Sequence, residues 1–455
     1  MKTVTVRIKL GSHLRKPAKG GHQMHNGRIA AWLGSLAVLL IVDLAHAQPL
    51  TTPPQFCQGG TGCPASSCPA SITSAQATLP LDACPFEGES QSAVDIFSWN
   101  EFIALNWPAT SACTANTTQS ILNVKSGKQG PVVWQTQMSS DDVFVAPGKT
   151  PANWCTGASL AALLGKKPRA LTHTAQTAAA PHALERLASV ISQPTDVTAV
   201  GGVVTDQSGR WLRYERLMNR PEYAAIVSNK WYRLSVLNSL ASITLPTGSL
   251  ELKSAWKILS PAAIASGRYY TTSATVYNTP NGAKSPGSNP VTLGLVGLHI
   301  IHKTPTQSGF FWSTFEQVDN DKVFFNPNST APINTQTAKK PYTELNPNRT
   351  PINAPVQIKR VTAIRADPGL NAYYQKLLAG SVFANYRLVS TQWQTGGAPQ
   401  GTPPNVANIV IETYVQNASS KAANPSTGCL ACHINATAAN GKTLTDHSFL
   451  FLEAK

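Results

Sequence analysis

The hydrophobic positions of this chain follow two periodicities. Between about 92 and 107, Trp99, Phe102, Ile103 and Asn106 recur at the three- and four-residue spacing of one helical face. Ser92 and Asp95 stand at the spacing of a capping box, and Pro108 closes the run. From 201 onward the pattern turns β-like, with strands predicted at 210–215, 251–259, 268–277, 291–303, 310–317 and 386–394. A turn containing Pro305 and Gly309 joins 291–303 to 310–317. A further strand is expected at 132–136, and helices at 159–164, from Pro221 to about 240, at 371–378 and at 408–416. The Ala/Thr-rich stretch 170–180 reads as mobile, and the Pro-, Asn- and Thr-rich stretch 325–358 as a long surface loop. Strands and helices are grouped rather than strictly alternating, so the expected class is α+β, with a mainly antiparallel β core and flanking helices.

Composition narrows this picture. The 455 residues are 13% charged and 42% hydrophobic, against about 25% charged in ordinary domains. That excludes a charge-driven disordered chain, and the lack of a second long apolar run argues against a multi-span membrane protein. The formal charge of +15 is concentrated at the start. Residues 1–47 hold seven Lys or Arg, an apolar run from Ile29 to Val42, and small residues at Ala45 and Ala47, the pattern of a secretory signal cleaved before Gln48. An uncleaved membrane anchor is the rival reading, but the run is about 14 residues, short of the roughly 20 that span a bilayer. Without this segment the net charge falls to +9. An exported chain with no basic cluster offers no track for nucleic acid.

Cysteine usage divides the mature chain. Cys57, Cys63, Cys68, Cys84, Cys113 and Cys155 lie in its N-terminal part, with no His among them in a zinc spacing, and read as up to three disulfides of undetermined pairing in an oxidising compartment. The organisation expected is a signal peptide at 1–47, a Cys-rich region at 48–165, a β-rich main body at 166–400 and a C-terminal segment at 401–455.

That last segment carries the chemistry. Cys429-Leu430-Ala431-Cys432-His433 is the C-x-x-C-H pattern of c-type haem attachment. Two thiols add across the two porphyrin vinyl groups, and the adjacent imidazole becomes the proximal iron ligand. The alternative, a redox dithiol, wants a surrounding βαβ pattern that is missing here. In these five residues the chain resembles the c-type cytochromes. That resemblance implies one covalent haem c held by Cys429, Cys432 and His433, an exported bacterial location in the periplasm or beyond, and a periplasmic electron donor or acceptor as partner. The longer strings 97–108, 299–303, 312–320 and 429–433 together resemble a group of large exported bacterial proteins with one C-terminal haem c motif, which implies a common architecture and no stated reaction.

Only 22 residues follow His433, too few for a self-contained cytochrome domain. The haem is therefore expected to pack against the upstream body, which must supply apolar walls and any sixth ligand. Met138, Met218, His173, His182, His299, His302 and His447 are the candidates, and His447 is nearest along the chain. An open sixth position would favour a haem-dependent oxidoreductase of peroxidase or oxygenase type acting on a small-molecule substrate, with His299, His302 and Glu316 as acid/base candidates. On a strand, His299 and His302 point to opposite faces and cannot share one metal; each is equally readable as a core histidine. Arg213 with Glu215 and Glu251 with Lys253 read as surface ion pairs, and Glu412 with Gln416 as one face of the helix preceding the motif.

Overall fold

The computed structural model describes residues 74–83, 91–127, 130–156, 170–172, 212–277, 290–321, 360, 363–394, 403, 406–412 and 428–455. The chain separates into two units, Met1–His46 and Ala47–Lys455, and every described residue belongs to the second. The expected signal, the helix at 159–164, the loop at 325–358 and Cys57, Cys63, Cys68 and Cys84 lie outside the described residues.

Eight strands form one sheet: β1 Met138–Ser139, β2 Ala170–Thr172, β3 Arg213–Met218, β4 Leu250–Ile258, β5 Thr271–Tyr277, β6 Val291–His302, β7 Phe311–Gln317 and β8 Tyr386–Gln392. The order is β1-β3-β4-β6-β5-β2, and β7 bridges β6 and β8. All pairings are antiparallel except that of β2 with β5. The fold is thus an α+β mix around a mostly antiparallel sheet. The chain is extended at 170–172, where mobility was expected.

Strand β6 is the axis of the sheet. Its length of twelve residues lets it pair with β4 along one edge and with both β5 and β7 along the other. Its side chains alternate between two layers. Leu298 and Ile300 join a core built by helices α1 (Gln91–Leu105) and α3 (Pro368–Leu377), which includes Trp99, Phe102, Phe315 and Tyr374. The Trp99 ring stacks on Tyr374 at 5.1 Å, and its Nε1 donates to Asn371 Oδ1 at 3.1 Å. Asn371 in turn holds both backbone groups of Leu388 in β8. On the other layer Ile301, Trp312 and Met218 pack with Leu430, Leu450 and Phe451, so the C-terminal segment forms that cover.

Several local expectations are corrected. Helix α1 starts at Gln91, one residue before the expected cap: Gln91 Nε2 donates to Asp95 Oδ1 at 2.8 Å, and Ser92 lies inside the helix. Residues 132–136 are not a strand; Val133–Thr136 is a 3-10 turn, because Thr136 Oγ1 and Gln137 Nε2 both donate to the Val133 carbonyl. The helix from Pro221 breaks in two. Helix α2 (Arg220–Ser228), capped by Asn219, ends at Lys230, whose φ of +57° leaves the helical region, and a short turn follows at Leu234–Leu237. At 408–412 there is one turn rather than the start of a regular helix, since Asn408 Oδ1 takes the Val410 N–H and Glu412 Oε2 takes the Asn408 N–H. Residues 413–416 lie outside the described set.

The expected surface ion pairs are also corrected. Arg213 is fully buried, while Glu215 accepts from Trp256 Nε1 at 2.7 Å. Glu251 is buried against helix α2, and Lys253 lies 3.8 Å from Glu412. Of the six N-terminal cysteines, Cys113 and Cys155 are joined.

Gly297 in β6 lets the turn at 408–412 lie flat on the sheet. A Cβ there would meet Val410 Cγ2 at 2.7 Å and Asn408 Oδ1 at 3.0 Å. Gly297→Ala should therefore cost about 1–3 kcal/mol of stability, measured by urea unfolding, because the turn has to shift. An unchanged midpoint would show that the turn is not clamped to the sheet.

Candidate functional site

The C-x-x-C-H residues form one short helix, α4 (Cys429–His433), preceded by Gly428. Leu430 anchors it. Its side chain enters the core beneath Trp312 and Leu450, and its N–H donates to Gln392 Oε1 of β8 at 2.8 Å. Gly309 makes room, because a Cβ there would stand 3.3 Å from Leu430 Cδ2. Cys429 and Cys432 are part-buried thiols outside any disulfide, three residues apart and so on one side of the turn. Burial, reinforced by the Glu412 carboxylate, pushes the Cys429 thiol well up and that of Cys432 to about 11. Both are protonated at neutral pH.

His433 is held on three sides. Its ring packs against Trp312 at 4.3 Å and Phe449 at 4.6 Å between centroids. Its Nδ1 lies 2.7 Å from the carbonyl oxygen of His447, which can only accept, so Nδ1 carries the proton. Burial holds the imidazole down to about 3, against the opposing pull of that carbonyl, so the ring is neutral. A neutral ring protonated on Nδ1 has its free lone pair on Nε2.

The carbonyl is positioned by an unusual turn. Asp446 and His447 have φ of +52° and +70°, a left-handed pair without glycine, which costs on the order of 1–3 kcal/mol per residue. Asp446 offsets the cost through its carboxylate, which accepts from Lys303 Nζ at 2.5 Å and from the Leu245 N–H at 2.7 Å. Downstream, Leu444 bridges Thr437 and Ser242, the Leu234 N–H donates to the Lys455 carbonyl at 2.9 Å, and Glu453 pairs with Arg216 of β3. The 22 residues after His433 are thus bound to the main body from end to end.

A second cluster lies on the same layer. His299 Nε2 is 2.9 Å from both oxygens of Glu412, and His299 Nδ1 is 3.2 Å from Thr314 Oγ1. Burial works against the Glu412 charge, but His299, Lys253 and the Asn408 N–H together hold its carboxyl below the usual range. His302 points the other way, as the period of two requires. Its Nδ1 bonds to Glu101 of α1, and its ring stacks 5.9 Å from Phe97. Glu316 lies close to neither histidine by any hydrogen bond: it pairs with Arg360 and Arg387, and accepts the Ile409 N–H at 2.8 Å.

Sequence reasoning had no signal for Lys253, Asp446 or the carbonyl of His447, since each depends on a contact made across the fold. Among the described residues, no group of three His, Cys, Asp or Glu side chains is arranged to hold a bare metal ion. No known protein family, curated protein or solved structure matches the chain.

Two outcomes follow. In chain lacking cofactor, alkylation of Cys432 should accelerate with pH toward a half-maximum about 11, and Glu412→Gln should move that midpoint down by removing a neighbouring negative charge; a midpoint near that of a free thiol would contradict the thiol environment. Glu316→Ala should cost about 3–5 kcal/mol in urea unfolding, as expected for a buried charge cluster that loses one partner. A near-neutral result would remove its structural role.

Proposed function

We propose that the chain is an exported, periplasmic c-type cytochrome carrying one haem c. Cys429 and Cys432 form the thioethers, His433 is the proximal ligand, and electrons pass to and from a periplasmic partner. The observation that carries this reading is the hydrogen bond from His433 Nδ1 to the His447 carbonyl. Iron-ligating histidines commonly give their other ring N–H to a carbonyl, which fixes the tautomer and raises ligand basicity. The neutral ring, the free Nε2 and two reduced thiols on one helical turn are the donor set that haem c attachment requires. The haem would supply one-electron redox chemistry at the iron.

The protein's own residues do the rest. Trp312 and Phe449 fix the ring plane of His433, and the left-handed turn at Asp446 and His447 fixes the carbonyl behind it. The two thiols on one turn, neither in a disulfide, are the groups that would hold the haem covalently. His447 contributes its carbonyl on the Nδ1 side of His433, the side turned away from Nε2, which argues against its imidazole as a further ligand to the haem iron.

A haem-dependent oxidoreductase is the second reading, favoured by one observation. Of the three acid/base candidates His299 and Glu316 share a layer with the motif, and Glu412 beside His299 would orient its ring. His302 faces α1 and Glu316 is neutralised by arginines, so both drop out of this role.

The purified mature chain should give a pyridine haemochrome spectrum of a thioether-bonded haem at one per chain. Cys429→Ser with Cys432→Ser should lose the covalent haem, and His433→Ala should change the spin state; a normal spectrum in His433→Ala would overturn the ligand assignment. A spectrum unmoved by cyanide, carbon monoxide or peroxide in both oxidation states favours electron transfer. Formation of a ligand complex, weakened by His299→Ala, favours the oxidoreductase.

A further inference from the structure

We propose that the cationic surface built by α2, the turn at Leu234–Leu237 and the residues after the motif is the docking face for the chain's redox partner, a protein that presents an acidic surface. The proposal rests on the haem c reading and names the chemistry of the partner that this reading requires.

The face is one bonded unit. The Leu234 N–H donates to the Lys455 carbonyl at 2.9 Å, the Leu444 N–H to the Ala241 carbonyl at 3.0 Å, and the Ile243 N–H to the Leu444 carbonyl at 2.9 Å. Side chains add to this, with Asn440 Nδ2 donating to Asn238 Oδ1 at 3.1 Å and Thr443 Oγ1 to the Leu237 carbonyl at 2.6 Å.

Its outward charges have one sign. Arg220, Lys230, Arg233, Lys442 and Lys455 are exposed. The acidic residues of the same two segments are turned inward or used up: Glu222 is fully buried, Asp446 is held by Lys303, and Glu453 by Arg216. Among the described side chains the one exposed acid is Asp141, at the edge of the face, next to Ser140, whose hydroxyl donates to Glu453 Oε1 at 3.2 Å. A paired acid cancels the charge of its own partner, which leaves the exposed cations to set the field in front of the face. That field reaches about 10 Å at 0.1 M salt and steers anionic surfaces toward it.

The face also has an apolar centre. Leu444 is 47% exposed although both of its backbone groups are bonded, so a fixed apolar side chain stands beside the cations. An apolar centre with a polar rim is the anatomy of a protein interface. An anionic membrane would attract the same charges, but binding there draws on a broad apolar face. Leu444 is the one exposed large hydrophobic side chain of these segments, which favours a protein.

The motif lies close by through bonds. The Ala436 N–H donates to the His433 carbonyl at 2.9 Å, and the Thr445 N–H donates to the Ala436 carbonyl at 3.0 Å. Two hydrogen bonds thus lead from His433 to the neighbour of Leu444. In the step itself one electron passes between the haem and the redox centre of the partner, one being oxidised and the other reduced, and no bond forms or breaks.

The test uses the full chain and two anionic probes, ferricyanide as electron acceptor and a polyglutamate peptide as a stand-in for an acidic protein surface. Arg233→Gln with Lys442→Gln and Lys455→Gln is compared with a control of equal charge change around α3, Lys125→Gln with Arg365→Gln and Lys376→Gln, all exposed positions. Oxidation of the reduced, haem-loaded chain by ferricyanide at low salt should slow about tenfold in the first variant and less than about twofold in the control. The difference should vanish at about 1 M salt, where screening acts within about 3 Å. In the wild type, polyglutamate should slow acylation of Lys230, Lys442 and Lys455 by an N-hydroxysuccinimide ester, read by mass spectrometry, and leave Lys125 and Lys376 unchanged. Equal slowing in the two variants, or protection that misses the three lysines, overturns the docking face and leaves the cytochrome reading intact. Tighter binding to phosphatidylglycerol vesicles than to polyglutamate overturns the choice of a protein partner. Lysine protection needs no haem: a chain that never attaches haem overturns the cytochrome reading and the redox role of the face, while protection of the same lysines in that chain still supports an acidic protein as its occupant.

Discussion

One hydrogen bond organises the C-terminal third of the fold: the 2.7 Å contact of His433 Nδ1 with the carbonyl of His447. For that carbonyl to face the ring, Asp446 and His447 must both be left-handed, a conformation that non-glycine residues adopt only when the surroundings impose it. The surroundings here are Lys303 at the end of β6, the backbone of Leu245 and the 22-residue tail bound along the body. The orientation of one imidazole therefore depends on the central sheet, the loop before β4 and the C-terminal residues at once. The rigidity of the residues after the motif is borrowed from the body they are bonded to.

The same sheet enforces a division of labour among polar side chains. Because β6 alternates with period two, His299 and His302 are sent to opposite layers, and each meets a different glutamate. Glu101 comes from α1 and closes the aromatic layer, where burial raises its carboxyl despite the adjacent His302. Glu412 comes from a single turn laid over Gly297 and stays ionised beside the thiols. Removing a partner from either pair leaves a buried polar group unsatisfied, so both pairs specify packing as well as any chemistry they support.

Much of the sheet was legible in the sequence because each strand from β4 to β8 carries its own alternating or continuous apolar pattern between turn residues. The motif was legible because its spacing is local. What was not legible depended on side chains that bond back to their own backbone or reach across the fold. Val133 to Thr136 looks like a strand by composition, yet Thr136 and Gln137 capture the Val133 carbonyl and curl it. The turn at 408 has the spacing of a helix, but Asn408 and Glu412 cap each other and stop it there. Glu251 and Lys253 look like a surface ion pair by their separation of two; in the fold Glu251 is buried, and Lys253 lies instead against Glu412 from a distant element.

The large body takes on a physical meaning in these terms. The His433 imidazole is oriented from behind by groups outside its own short helix. The sheet supplies Trp312, the anchor for Leu430 and the socket for Asp446.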